Sequence, residues 1–238
     1  MNDRLHTIIG GRHYPHKNNT PKPGWLEAVN KNAKAIEKGN VPDWVINAKS
    51  LWSDQARTIG TSIEIANSLS VRINNFQIRD WLSIKPQKSP ANVKEILKKL
   101  DVHYEADPSV KANGYSDELI YKIQRNTLPD VDVSPFARFT ANKLYNAIQA
   151  IKRNPEASNL TIAWIHGGRW LETVLYTLWW ENLPAAWEGQ LRMSEVFAMH
   201  IDKDPEADDK VVLVVNYRGE SHTIKEDEIK EKIDALKS

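Results

Sequence analysis

The 238-residue sequence contains no cysteine, which excludes disulfide bonds, thiolate metal ligands and a cysteine nucleophile. It has no apolar run that approaches the roughly 18 residues of a membrane span, and the apolar stretch near its start is too short for a signal peptide. The formal net charge is only +1, so the overall charge gives no reason to expect a nucleic-acid or membrane partner. We therefore predict a cytoplasmic protein in which residues 1–238 form a single domain.

Short apolar runs alternate along the chain with patterns of helical period. Strands are predicted at residues 5–10, 44–46, 76–78, 160–165, 196–201 and 210–217, with a turn at 218–220. Helices are predicted at residues 24–36, 53–69, 89–100, 134–151, 169–181 and 225–236. This alternation is typical of an α/β fold, and we expect a three-layer sandwich with a mostly parallel central sheet and helices on both faces. Residues 101–134 are broken by proline and glycine and are expected to form a lid or insertion, and residues 202–209 an acidic loop.

Two of the predicted buried strands end in a histidine. The first strand is followed by Arg12-His13, and the strand at 160–165 is followed by His166-Gly167 just before a helix. A single histidine at a strand end is more often a structural residue than a functional one. Because ligands collect at the carboxyl ends of strands in α/β sheets, however, the matching contexts predict that the two histidines share one site.

A third candidate lies between these two strand ends. Arg57 falls near the first turn of the helix predicted at 53–69. An arginine there is a natural anion ligand, because its planar guanidinium matches phosphate oxygens and the N–H groups of the first helical turn point outward. The alternative is an ordinary surface arginine on an amphipathic helix.

The three candidates belong to short motifs that occur together in one known family. In the first motif, Arg12-His13 follows a strand, Tyr14 stands where the family has glycine, and Asn19 lies six residues after the histidine, as the family's asparagine does. The second motif covers residues 53–62, and the third is the strand that ends in His166-Gly167. In this order the motifs resemble those of the histidine phosphatase (phosphoglycerate-mutase-like) superfamily.

The resemblance implies a phosphatase that hydrolyses a small phosphomonoester without a metal or another cofactor. His13 would attack the phosphorus as neutral imidazole and form a phosphohistidine. Arg12, Arg57 and His166 would surround the phosphoryl oxygens and stabilise the charge that spreads over them. Asn19 would support the phosphate.

The family also uses a carboxylic acid to protonate the leaving oxygen, and this role has several candidates in the sequence. One branch of the family places a glutamate where this chain has Ile78, and another places an aspartate where it has Gly167. Asp80, two residues after Ile78, is therefore the first candidate for the acid; the alternative is a structural role for Asp80 as a helix cap or at the surface. Three rivals are Glu105, Asp107 and Glu172.

Further residues near the predicted site would meet the substrate. His16, Gly167 and Arg169 are candidates for contacts with an anionic phosphoester. The spacing of His13 and His16 could also suit zinc, but nearby ligands are too few to favour a metal site. Two alternatives to hydrolysis stay open, a phosphomutase and an inactive phosphate-binding member of the family; the substrate and the oligomeric state are open as well.

Overall fold

The computed structural model describes residues 4–12, 16–17, 20–21, 23–40, 47–52, 56–78, 89–106, 116–154, 160–165, 169–179, 182–189, 191–192 and 195–236. The strands in this part of the chain are β1 Arg4–Arg12, β2 His16–Lys17, β3 Thr20–Pro21, β4 Asn47–Trp52, β5 Arg72–Ile78, β6 Leu160–Ile165, β7 Val196–Asp204, β8 Ala207–Tyr217 and β9 Glu220–Lys225. The helices are α1 Trp25–Asn40, α2 Ala56–Ser68, α3 Ala91–Ala106, α4 Asp117–Gln124, α5 Ser134–Arg153, α6 Arg169–Trp179 and α7 Glu226–Ala235. Among these helices, none is both long enough and apolar enough to cross a bilayer.

Seven of the strands form one sheet in the order β5-β4-β6-β1-β7-β8-β9. β1 lies in the middle, with β6 parallel to it on one side and β7 antiparallel on the other. It is buried from His6 to Arg12 without interruption. Because successive side chains of a strand point to opposite faces, both faces of the sheet are covered at β1. The buried residues include His6, Thr7 and Arg12 as well as Ile8 and Ile9.

The α/β class is confirmed, but the sheet is mixed and the prediction of a mostly parallel sheet is wrong. The pairs β5/β4, β4/β6 and β6/β1 are parallel, whereas β1/β7, β7/β8 and β8/β9 are antiparallel. The last three strands are joined by two-residue turns at 205–206 and 218–219, and such tight turns join only antiparallel strands. The first of these turns also replaces the predicted acidic loop at 202–209. The three-layer arrangement stays a prediction.

The described residues divide into two compact units. The sheet unit is drawn from Met1–Ser83, Ala147–Gly167 and Leu191–Glu226, and the helical unit from Ile84–Asn146, Gly168–Gln190 and Asp227–Ser238. In the sheet unit, α1 and α2 pack around a core that includes Ile9, Ile65 and Leu160. In the helical unit, a second core includes Leu97 and Ile120. The description of residues 1–238 as a single domain stays a prediction.

Part of the segment expected to be a lid is regular helix. α3 continues six residues beyond the predicted end at residue 100. α4 begins after Ser116, whose side chain accepts a hydrogen bond from the backbone N–H of Leu119 at 3.1 Å and so caps the helix. Residues 107–115 of the segment lie outside the described residues.

Candidate functional site

The carboxyl ends of three parallel strands lie side by side in the sheet. β6 pairs with β1 on one side and with β4 on the other. The register places Arg12 beside Ile165, the last residue of β6, and Trp52, the last residue of β4, beside Trp164. All three strands therefore end at one edge of the sheet, and this is the edge at which parallel α/β sheets bind ligands.

Arg12 is the last residue of β1 and is only 6% exposed. Its side-chain Nη1 donates a hydrogen bond to the carbonyl oxygen of Leu191 at 3.1 Å, and its backbone N–H donates to the carbonyl oxygen of Glu195 at 3.1 Å. A guanidinium carries its charge at every pH at which proteins fold, and it offers five N–H donors in a planar fork. The end of β1 therefore holds a buried, positively charged guanidinium. Its hydrogen bond to the carbonyl oxygen of Leu191 orients its plane.

Arg57 is the second residue of α2, which follows the end of β4 in the chain. The N–H groups of a first helical turn have no acceptor within the helix, and the helix dipole adds partial positive charge there. Thr58, Thr61 and Ser62 of the second motif are fully buried, and α2 contacts β4, β5 and β6. Small side chains at these positions let the helix pack close to the strands. Its N-terminal turn begins four residues after Trp52, the last residue of β4.

The other predicted site residues are placed only in part. His13, Asn19, Asp80, His166 and Gly167 lie outside the described residues. His16 is in the two-residue strand β2, where it pairs with Pro21 of β3. Arg169 is the first residue of α6 and belongs to the helical unit. The roles of these seven residues stay predictions.

The rivals for the general acid fall on helices or outside the described residues. Glu105 is an exposed residue in the last turn of α3, and Glu172 is in α6. Asp107 lies outside the described residues. Across the described ranges, no group of three or more His, Asp and Glu side chains is placed to hold a metal ion.

A hydrogen-bonded network next to Arg12 was missed in the sequence. Glu195 directly precedes β7, and its carboxylate accepts hydrogen bonds from Nε of Arg218 at 2.7 Å and from Nη2 of Arg218 at 3.0 Å. The same carboxylate accepts from the hydroxyl of Tyr217 at 3.2 Å and from the backbone N–H of Arg192 at 2.7 Å. The only signal in the sequence was the turn at 218–220, which gave no indication of a partner more than 20 residues away.

Two further histidines of the sheet unit are buried but lie within the strands. Nε2 of His6 is 2.7 Å from the hydroxyl of Thr161, and Nδ1 of His200 is 3.0 Å from the hydroxyl of Thr7. Burial, together with the positive charge of Arg4, lowers the pKa of His200 to about 4. His200 is therefore neutral in the folded protein at neutral pH, and it has a structural role between β7 and β1.

No protein-family model matches the chain, and no curated protein matches it. Among solved structures, it is similar to "Mycobacterial hydrolase 1" at 11% identity and a TM-score of 0.49, over 91% of this chain and 100% of that chain. It is similar to a mycobacterial glucosyl-3-phosphoglycerate phosphatase at 10% identity and a TM-score of 0.48, over 91% and 100%. A phosphoglycerate mutase from Bacillus anthracis str. Sterne is similar at 14% identity and a TM-score of 0.45, over 95% and 96%. This mutase and this phosphatase are members of the histidine phosphatase superfamily, the family that the three motifs resemble.

Proposed function

We propose that this chain is a histidine phosphatase, which hydrolyses a small phosphomonoester through a phosphohistidine on His13 and needs no metal. The observation that supports this best is the parallel register of β1, β6 and β4. It brings together the end of the strand that carries the first motif and the end of the strand that carries the third. The second motif begins with the connection that follows β4 and continues into α2.

In the first proposed step, an imidazole nitrogen of His13 attacks the phosphorus. The nitrogen–phosphorus bond forms as the bond to the ester oxygen breaks, and a carboxylic acid, for which Asp80 is the candidate, gives its proton to that oxygen. In the second step the carboxylate takes a proton from water, and the water oxygen displaces the histidine. The products are an alcohol and inorganic phosphate, and both catalytic groups return to their starting states.

Arg12 and Arg57 stabilise the charge on the transferring phosphoryl group. Phosphoryl transfer places this charge on the three equatorial oxygens, so catalysis depends on donors that are held in place before the reaction. Arg12 is held in place in this way, because it is buried and its guanidinium donates a hydrogen bond to the carbonyl oxygen of Leu191. Loss of one such donor typically costs on the order of 3 kcal/mol in the barrier, or about a hundredfold in rate.

His166 completes the group around the phosphoryl oxygens, and Asn19, His16, Gly167 and Arg169 contact the substrate. The proposed substrate is a small phosphorylated molecule. The protein would act in the cytoplasm without a nucleic-acid or membrane partner.

The test compares turnover of p-nitrophenyl phosphate by the wild-type protein and by His13→Ala. We expect turnover to be abolished, because in the proposed mechanism the covalent intermediate forms on His13. His222→Ala is the matched control, since it removes a histidine that is partly exposed on β9, and it should retain wild-type turnover. A phosphoenzyme that is labile in acid should be trapped with the wild-type protein and not with His13→Ala. Equal turnover by His13→Ala and the wild type would rule out the mechanism.

Two additional measurements separate the proposal from its alternatives. Removal of metals by a chelator should leave turnover unchanged. With a phosphoglycerate as substrate, hydrolysis releases inorganic phosphate, whereas a mutase would return an isomer of the substrate. Binding of inorganic phosphate with no turnover of any phosphomonoester would indicate an inactive phosphate-binding protein.

A further inference from the structure

The segment before β7 makes two contacts with Arg12. The carbonyl oxygen of Leu191 accepts a hydrogen bond from Nη1 of Arg12, and the carbonyl oxygen of Glu195 accepts one from its backbone N–H, both at 3.1 Å. The first contact orients the guanidinium, and the second fixes the backbone at the end of β1. The position of Arg12 therefore depends on the positions of Leu191 and Glu195.

The Glu195 carboxylate fastens this segment to the β8–β9 hairpin. Two nitrogens of Arg218 donate to its two oxygens, at 2.7 and 3.0 Å, in the forked geometry that makes arginine–carboxylate pairs strong and directional. The side chains of Arg218 and Glu195 are only 19% and 22% exposed. The backbone N–H of Arg192 donates to the same carboxylate at 2.7 Å, so Glu195 also holds the residue that follows Leu191.

Arg218 is itself held in place by the turn that carries it. Arg218 and Gly219 have φ angles of 51° and 82°, which is the left-handed pair that suits a two-residue hairpin turn. The guanidinium of Arg218 lies 4.8 Å from the ring centroid of Tyr217, and the hydroxyl of Tyr217 donates to Glu195 at 3.2 Å. A continuous series of contacts thus runs from the β8–β9 turn through Glu195 to Arg12.

We infer that Glu195 and Arg218 are positioning residues, which act on the reaction by holding Arg12 where it meets the phosphoryl oxygens. The inference rests on the proposed function, because it gives Arg12 that role. Misplacement of a reacting or binding group by roughly 1 Å costs about a hundredfold in rate. Loss of the pair is therefore expected to lower kcat by about 10- to 100-fold.

The first experiment measures kcat and KM for p-nitrophenyl phosphate, and the dissociation constant of vanadate, for Glu195→Gln and Arg218→Lys. Vanadate mimics the transferring phosphoryl group. We expect both variants to have a lower kcat and to bind vanadate more weakly than the wild type does. Two variants are used so that the result does not depend on the folding of one, and Arg218→Lys keeps the net charge.

Asp202→Asn is the matched control. Arg4 and Asp202 form the corresponding pair at the far end of β1 and β7, 3.2 Å apart with side chains 26% and 22% exposed. Asp202→Asn should lower the thermal midpoint by about as much as Glu195→Gln does, and it should leave kcat at the wild-type value. A reduction of kcat by Asp202→Asn that equals that of Glu195→Gln would overturn the inference, because any weakening of the sheet would then suffice.

The second experiment repeats Glu195→Gln in an Arg12→Ala background. If Glu195 acts through Arg12, it should have almost no further effect on kcat there, because coupled residues are not additive. An equal loss in both backgrounds would refute the inference. Tighter vanadate binding by Glu195→Gln would also refute it, since that is the result of simply removing a negative charge.

The proposed function and this inference fail in different ways. A wild-type protein that does not turn over phosphomonoesters, or a His13→Ala variant that turns them over normally, overturns both. Normal dependence on His13, combined with an unchanged kcat in Glu195→Gln and Arg218→Lys, overturns the inference alone.

Discussion

Acidification should destabilise the protein through the buried His200. The side chain is 1% exposed, and burial and then the charge of Arg4 lower its pKa to about 4 from the ordinary 6.5. Between these two values the unfolded chain binds a proton at this residue and the folded chain does not. The free energy of unfolding therefore falls as the pH falls through this window, and the contribution of His200 is fully present only above the ordinary pKa.

The size of the effect follows from the two pKa values. One pKa unit corresponds to about 1.4 kcal/mol, so the complete loss, reached below about pH 4, is on the order of 3 kcal/mol. Between neutral pH and pH 5 the linkage relation gives a loss of about 2 kcal/mol from this residue. Such a change is large against the total stability of about 5 to 15 kcal/mol that is typical of natural proteins.

The assay is unfolding by urea, followed by tryptophan fluorescence, at a series of pH values from neutral to about pH 4.5. Other groups titrate in this range, so the informative quantity is the difference in slope between the wild type and His200→Gln, which keeps a hydrogen-bonding side chain but cannot be protonated. We expect the variant to lose about 2 kcal/mol less than the wild type between neutral pH and pH 5. His222→Gln, on β9 and partly exposed, should follow the wild-type curve. Parallel curves for His200→Gln and the wild type would refute the reasoning.

Three further substitutions test the packing of the two units. Gly10→Ala should destabilise the protein by about 3 kcal/mol, measured by urea unfolding, because a Cβ there would lie 2.7 Å from Cε2 of Phe197; the added substitution Phe197→Leu should recover part of the loss. Ser116→Ala should cost about 1 kcal/mol by removing the cap of α4, and Ser116→Asp should restore it. Glu226→Gln should lower the thermal midpoint, because it removes the negative charge from the ion pair with Lys152 at 2.9 Å; an unchanged midpoint would show that the pair adds nothing.

The buried elements of the fold were predictable from local sequence patterns. β6 was expected at residues 160–165 and occurs there, because a strand buried in a parallel sheet is a short run of apolar residues. The helix expected at 134–151 occurs at Ser134–Arg153, and the two additional residues, Lys152 and Arg153, are basic side chains in its last turn, where they complement the helix dipole. The helix expected at 53–69 occurs as α2, Ala56–Ser68, and residues 53–55 lie outside the described residues.

Elements with little apolar content were not predictable in this way. β9 has a single buried residue, Ile224, among six, and at the edge of the sheet its backbone pairing with β8 decides its structure. β4 occurs at Asn47–Trp52, after the strand expected at 44–46, and those three residues lie outside the described residues. Its polar start does not show the alternation from which a strand is recognised.

Some residues of the candidate site were likewise predictable from local sequence patterns, and others were not. Arg12 and Arg57 could be singled out because each occurs in a short motif with a defined local structure. The pairing of Glu195 with Arg218 depends on the register of β7 against β8, in which Phe197 pairs with Tyr217, and no local pattern contains that information. Side chains that contact a site residue from elsewhere in the fold are found only when the strands are in place.

The central place of β1 has a consequence for how the protein is made. Its partners lie far along the chain, since His6 contacts Thr161 and Thr7 contacts His200. A ribosome therefore releases β1 long before either neighbouring strand exists, and pairings between such distant residues form slowly. During synthesis the central strand of the sheet, which is buried from His6 to Arg12 in the folded protein, therefore remains without its partners. Unpaired strands of this kind expose the nascent chain to aggregation, which chaperones counteract.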